Sequence, residues 1–207
     1  MLKYCCAGVV VLAGASAANA YDLFTDDAAF EAAILPGFYL EDFDGYTYGG
    51  FTGEDLTLEA NGWRYTIDEA GTGSSGLWSG DGNMSTNSAL NYLTVTFDPT
   101  ADKGLPTAVG GWFFPSEING FYIPGPMLLT ITYDDATTDL YAWDPVSDTD
   151  FRGFGGTKPI AEFWIEAPDD IATAWPTMDH FYAAEYIPAP GALALLGLAG
   201  LASRRRR

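Results

Sequence analysis

The sequence predicts an all-β protein: an antiparallel, jelly-roll-like β-sandwich of about eight strands with one short N-terminal helix. Three observations carry this prediction. Beyond Gly37, apolar and polar residues alternate with a period of two, which sends successive side chains to opposite faces of a strand. The alternating runs are rich in aromatic and β-branched residues, and glycine, proline and asparagine separate them, as expected of turns between short strands. Eight such runs suffice for two stacked sheets around a shared core.

The helix comes first, in FTDDAAFEAAILPG. Thr25 or Asp26 can cap it, Asp27 suits the positive end of its dipole, and Phe30, Ala33 and Ile34 follow i, i+3, i+4 spacing until Pro36 and Gly37 stop it. The strands then follow. FYLEDFDG is the first, and GWRYTIDEA sets Trp63, Tyr65 and Ile67 against Arg64, Thr66 and Asp68. The stretch EAGTGSSGLWSGDGNMSTNSA has no period and is dominated by Gly, Ser and Asn, so it reads as a surface loop. LNYLTVTFDP places Leu93, Val95 and Phe97 on one face, and after AVGGWFFP, MLLTITYDD does the same with Leu129, Ile131 and Tyr133. TDLYAWDP follows. AEFWIEAP then sets Phe163 and Ile165 opposite Glu162, Trp164 and Glu166, and DHFYAAEY completes the set.

The two ends of the chain carry different signals. Lys3, the apolar run Ala7 to Ala15 and the small-x-small site Ala18-Asn19-Ala20 have the order of a signal peptide over residues 1–20. Signal peptidase would then leave Tyr21 as the first residue. At the other end, Gly191 to Ala202 is an apolar run of 12 residues, shorter than the roughly 20 that span a bilayer as a helix. Arg204, Arg205, Arg206 and Arg207 follow it and read as a cytoplasmic stop. This tail, residues 188–207, is expected to be a transient inner-membrane anchor.

Between the ends, residues 21–187 form one expected domain of 167 residues, large enough to bury roughly 70% of its unfolded surface. Both cysteines, Cys5 and Cys6, belong to the signal segment, so the domain has no disulfide and depends on its core. All 28 acidic residues fall in it against four basic ones, Arg64, Lys103, Arg152 and Lys158, a net charge of −24. Such a surface repels nucleic acid and anionic lipid. Cations, neutral glycans and basic partners are the ligands it permits.

Four kinds of residue could carry chemistry. His180, the single histidine, cannot build a multi-histidine metal site and reads as structural or surface-exposed. Glu41, Asp42 and Asp44 lie together and could serve as the paired carboxylates of glycoside hydrolysis, although an acidic surface explains them equally. Structural calcium is the natural use of aspartates at strand ends, and Asp134 with Asp135, and Asp148 with Asp150, are the candidates, followed by Asp169 with Asp170. GDGNMSTN begins like a calcium loop with Asp81 and Asn83 and departs from the pattern at Ser85. Finally, aromatic faces stack on sugar rings. Trp143 and Trp164 are expected to point away from the apolar faces and Trp78 lies in the polar stretch, which makes these three the glycan-binding candidates.

The tail resembles the PEP-CTERM sorting signal of exopolysaccharide-producing bacteria. The match consists of Pro188, Ala189 and Pro190, the run Gly191 to Leu198, and Arg204 to Arg207, with Ala189 standing where the motif has glutamate. The resemblance implies cleavage near Pro188 to Pro190 by a membrane-embedded, exosortase-like protease and release of the domain to the cell surface or matrix. Residues 24–186 are also similar to the β-sandwich domain common on such substrates, through AFEAAILPGFYLEDFDG, LTVTFDPTADKGLPTAVGGWFF, FRGFGGTKPIAEFWIE and TMDHFYAAE. The expectation is a non-enzymatic surface or matrix protein associated with exopolysaccharide, bridged by calcium. The alternative is a secreted glycoside hydrolase or lyase.

Overall fold

The structure, a computed structural model, describes residues 21–46, 49–51, 55–73, 76–80, 82–168 and 173–188. The signal segment 1–20, Asp81, Asp169, Asp170, Ala189, Pro190 and Arg204 to Arg207 lie outside the described residues, so the sorting and cleavage expectations remain those of the sequence.

Asp26 begins the helix as expected. It is extended, its carboxylate accepts the Ala29 N–H at 2.8 Å, and Asp27 occupies the first turn of α1 (Asp27–Glu31). The helix is shorter than its apolar spacing suggests. Ala33 N–H turns to Phe30 O at 2.9 Å, and Ile34 leaves to bridge Tyr186, so Phe30 is the residue that α1 itself buries.

Around it, among the described residues, run fourteen strands: β1 (Tyr21–Phe24), β2 (Tyr39–Glu41), β3 (Gly49–Phe51), β4 (Leu56–Ala60), β5 (Trp63–Gly71), β6 (Leu77–Gly80), β7 (Asn83–Thr86), β8 (Asn91–Phe97), β9 (Ala108–Ser116), β10 (Met127–Tyr133), β11 (Thr138–Trp143), β12 (Phe151–Gly156), β13 (Ile160–Glu166) and β14 (Trp175–Ala184). The all-β class holds, with more and shorter strands than the eight long runs. The largest departure is the Gly/Ser/Asn-rich stretch, which is the β6–β7 hairpin and not a free loop. All four residues of β7 are buried.

Two antiparallel sheets form a sandwich. The larger has the order β1-β12-β9-β14-β7-β6-β3, with β2 also paired to β14, and the smaller is β11-β10-β13-β8-β5-β4. The faces drawn from alternation are the ones that meet. Trp63, Tyr65, Ile67, Leu93, Val95, Phe97, Leu129, Ile131, Phe163 and Ile165 of the smaller sheet pack on Val109, Phe113, Phe154, Met178 and Phe181 of the larger.

A second cluster lies on the outer side of the larger sheet, where Phe30 and Ile34 pack on Ala108, Phe151, Tyr182 and Ala184. Space there is made by glycine: a Cβ at Gly153 would stand 2.4 Å from the Phe30 ring, and one at Gly110 3.2 Å from it. This end of the sheet is therefore buried on both faces, which explains why AVGGWFF does not alternate.

Beyond the helix the outer face is open, and there β14 departs from regular pairing. Asp179 faces Trp112 and Tyr182 faces Gly110, so His180 and Phe181 together oppose Gly111. This is a β-bulge, with His180 at φ 50°.

Candidate functional site

The bulge builds the site. Without the extra residue, the alternation that turns Tyr182 and Ala184 outward would turn Asp179 into the core. With it, Met178 and Phe181 stay inside while Asp179 and His180 both reach the outer face. The His180 ring lies flat on Trp112, with centroids 4.5 Å apart and planes at 10°.

Beside this stack is a hollow of about 110 Å³ lined by Asn83, Trp112, Phe121, Asp148, Thr149 and Asp179. Burial pushes the Asp179 carboxyl up to about 7, and repulsion from Asp44, Asp42 and Asp148 adds to it, opposed by the His180 backbone N–H that it accepts at 2.5 Å. Asn83 is only 8% exposed, and its Oδ1 receives no hydrogen bond. Asp44 reaches the same neighbourhood, its Oδ1 lying 2.6 Å from where a Cβ of Gly82 would be.

A second hollow, of about 160 Å³, opens on the other side of the 117–123 segment between Trp78, Trp175, Glu117 and Ile118. Its floor is polar and satisfied: Ser116 Oγ and Thr177 Oγ1 are 2.7 Å apart, Thr177 Oγ1 donates to Ser85 Oγ at 3.1 Å, and Ser85 Oγ donates to Pro176 O at 3.0 Å. The dividing segment is held down at its middle and near its C-terminal end. Gly120, at φ 88°, lies so close to Trp78 that a Cβ would be 2.9 Å from the ring, and Tyr122 Oη donates to Pro145 O at 2.6 Å. Its tip remains in solvent, with Ile118 67% and Phe121 66% exposed. Trp175, Trp78, Phe121 and Trp112 thus share one outer face with carboxylates and hydroxyls between them.

The three tryptophans chosen from sequence are not brought together. Trp78 belongs to this face. Trp143 is buried, 9% exposed, with its ring edge-on to Phe113 at 6.5 Å and the Arg152 guanidinium 5.6 Å from its centroid. It alternates inward with Asp139 and Tyr141, while Leu140 takes the solvent side at 66% exposed. Trp164 does point outward, but on the smaller sheet, where it packs on Tyr92 at 4.9 Å between Thr94 and Thr130.

The calcium candidates also separate. Asp134 and Asp135 lie in the β10–β11 turn, and Asp148 and Asp150 in the β11–β12 connection at the other end of β11. Asp135 accepts from Thr137 and from Lys158 Nζ at 2.9 Å, which lowers its carboxyl to about 2. Asp150 is paired with Arg152 and accepts the Val146 N–H at 2.9 Å. Asp148 alone of the four lines the 110 Å³ hollow. Among the described residues no three His, Cys, Asp or Glu side chains converge as metal ligands, and no helix is long and apolar enough to cross a membrane. Of the carboxylates considered for hydrolysis, Glu41 is engaged by Tyr39 Oη and the Phe43 N–H, whereas Asp42 and Asp44 face solvent beside the site.

Sequence reasoning missed Trp112, Trp175 and Asp179, and it met Asn83 only within a calcium-loop pattern that departs at Ser85. Trp112 stood in a recognised strand, but its side of the sheet was hidden by the absence of alternation, and nothing in TMDHFYAAE marks the bulge.

No protein-family model matches the chain, and no curated protein matches it. Among solved structures it is similar to the family 11 carbohydrate-binding module of a cellulosomal cellulase of Clostridium thermocellum, with a TM-score of 0.31 and 10% identity over 74% of this chain and 97% of that one.

Proposed function

We propose that the protein is an exported, non-enzymatic surface or matrix β-sandwich that associates with exopolysaccharide through the outer face of its larger sheet, after exosortase-like sorting at Pro188-Ala189-Pro190. One observation carries the binding half of this reading: four aromatic rings and several hydrogen-bond acceptors are presented on the same open face. A sugar ring offers a C–H face that stacks on aromatics and hydroxyls that donate to carboxylates. Hollows of about 110 and 160 Å³ are smaller than the roughly 300–1,000 Å³ that enclose a small ligand. They suit a chain lying across the face. The net charge of −24 on residues 21–187 favours a neutral polysaccharide over an anionic one.

Affinity electrophoresis of the purified protein in gels containing neutral polysaccharides tests this. Trp175→Ala and Trp112→Ala should each weaken retardation about tenfold, roughly 1–2 kcal/mol, while Trp164→Ala on the opposite sheet leaves it unchanged. Retardation by no polysaccharide, or loss confined to Trp164→Ala, would refute the assignment of this face.

The hydrolase alternative is favoured by one observation, since Asp179 holds its proton to about 7 as a general acid must, and Asp148 lines the same hollow. Its size argues for binding instead. Release of reducing sugar that Asp179→Asn abolishes would decide for catalysis.

A further inference from the structure

We infer that the hollow between Asn83, Asp148 and Asp179 is a calcium site. This goes beyond polysaccharide association and does not depend on it. Asp148 and Asp179 bring carboxylates to one hollow from two different elements, the β11–β12 connection and the bulge of β14. The independent observation is Asn83. Its side chain is buried at the start of β7, 8% exposed, and the residue lines the same hollow, yet its Oδ1 has no donor. A buried carbonyl oxygen is normally satisfied, and beside two carboxylates the group that satisfies it and balances their charge together is a cation. Asn119, which also lines the hollow, spends its Nδ2 on Glu117 at 2.8 Å, so Oδ1 is its remaining polar atom. Arg152 of β12 does not line the hollow and is committed to Asp150 and to Phe151 O at 2.6 Å.

The donor set is oxygen throughout: carboxylate, side-chain carbonyl and the Thr149 hydroxyl. Oxygen donors select a hard cation, and an irregular set of long-reach ligands suits calcium better than the strict octahedron of magnesium. The volume of about 110 Å³ accommodates the ion with two or three waters at roughly 30 Å³ each. Two carboxylates in place of three or four set the affinity in the weak range of extracellular modules, Kd about 10⁻⁴–10⁻³ M. Asp42 and Asp44 act from a distance by raising the local negative potential. Of the paired aspartates that the sequence suggests, Asp148 is the one among the described residues that belongs to the site.

Terbium luminescence and calcium titration calorimetry on the purified protein test this. Excitation of tryptophan should give saturable terbium emission, with Trp112 at the site as donor, and millimolar calcium should displace it. Calorimetry should show one site with half-saturation at about 0.1–1 mM. Asp148→Asn and Asp179→Asn should each weaken calcium at least tenfold, Asn83→Ala several-fold, and Asp134→Asn, at the far end of β11, not at all. Trp112→Phe should dim the terbium signal and leave the calcium affinity intact, which separates the probe from the site. Far-ultraviolet circular dichroism of each variant guards against misfolding. No saturable heat up to about 10 mM calcium, or full affinity in both Asp148→Asn and Asp179→Asn, would overturn the site and assign any residual effect to screening of the acidic surface. Calcium binding without polysaccharide retention would refute the polysaccharide reading alone.

Discussion

Replacing Asp179 by Asn should stabilise the metal-free protein at neutral and alkaline pH. The Asp179 carboxyl is held at about 7 in the fold, first by burial and then by Asp44, Asp42 and Asp148, against an ordinary 3.8. Between about pH 4 and 7 the folded state therefore keeps a proton that the unfolded chain has released, so stability falls as pH rises through that window and levels off above it. Unscreened, the difference corresponds to roughly 4 kcal/mol. The side chain is only partly enclosed and its three acidic neighbours face solvent, so about 1–2 kcal/mol should survive. Asn cannot ionise, yet its Oδ1 can still accept the His180 N–H. In EDTA at about pH 8 the variant should melt about 3–6 °C above the parent, and at about pH 4.5 the two should coincide. An Asp179→Asn protein that melts lower than the parent by the same amount at both pH values would show that the carboxylate is a structural hydrogen-bond acceptor without net repulsion, and would refute the reasoning.

Two further outcomes concern the covered end of the sheet and the tail. Gly153→Ala puts a methyl 2.4 Å from the Phe30 ring and 2.8 Å from Phe151, and should cost about 1–3 kcal/mol by urea unfolding, partly recovered by adding Phe30→Leu; an unchanged midpoint would mean that α1 lifts freely. Deleting Arg204 to Arg207, or changing Pro188 and Pro190 to Ala, should leave an uncleaved precursor in the membrane fraction. Wild-type mass and amount outside the cell would disprove the sorting role.

Legibility in the sequence followed the number of dry faces. β5, β8, β10 and β13 each have one wet and one dry side, and their alternation named the core correctly from Trp63 to Ile165. β9 is covered on both sides for much of its length, so its sequence loses the period and hides which way Trp112 points. β11 has apolar residues on both faces, and at this edge strand Tyr141 and Trp143 take the core side while Leu140 stays in solvent. β6 and β7 have loop composition because Ser79, Asn83, Ser85 and Thr86 are buried polar groups, with Ser79 opposite Met84 and Ser85 opposite Trp78 across the hairpin. The site was harder still, since it depends on one inserted residue whose effect is geometric. Asp179 and Asn83 are 96 positions apart in the chain, and no local pattern links them.

The position of β14 in the larger sheet governs how the domain can fold. Among the described residues it is the last strand in sequence, yet it lies in the middle, between β9 and β7, and also carries β2. Remove it and the sheet falls into two pieces, β1-β12-β9 and β7-β6-β3, with no strand to join them. A polypeptide still being synthesised cannot close this sheet until Trp175–Ala184 have been added, because every shorter product lacks the seam. The smaller sheet carries no such requirement beyond Glu166. Nascent chains should therefore form one half of the sandwich first and stay open along Phe113 and Val109 until the ten residues of β14 arrive. The same topology makes the two ends unequal: loss of β1 takes an edge, and loss of β14 takes the sheet.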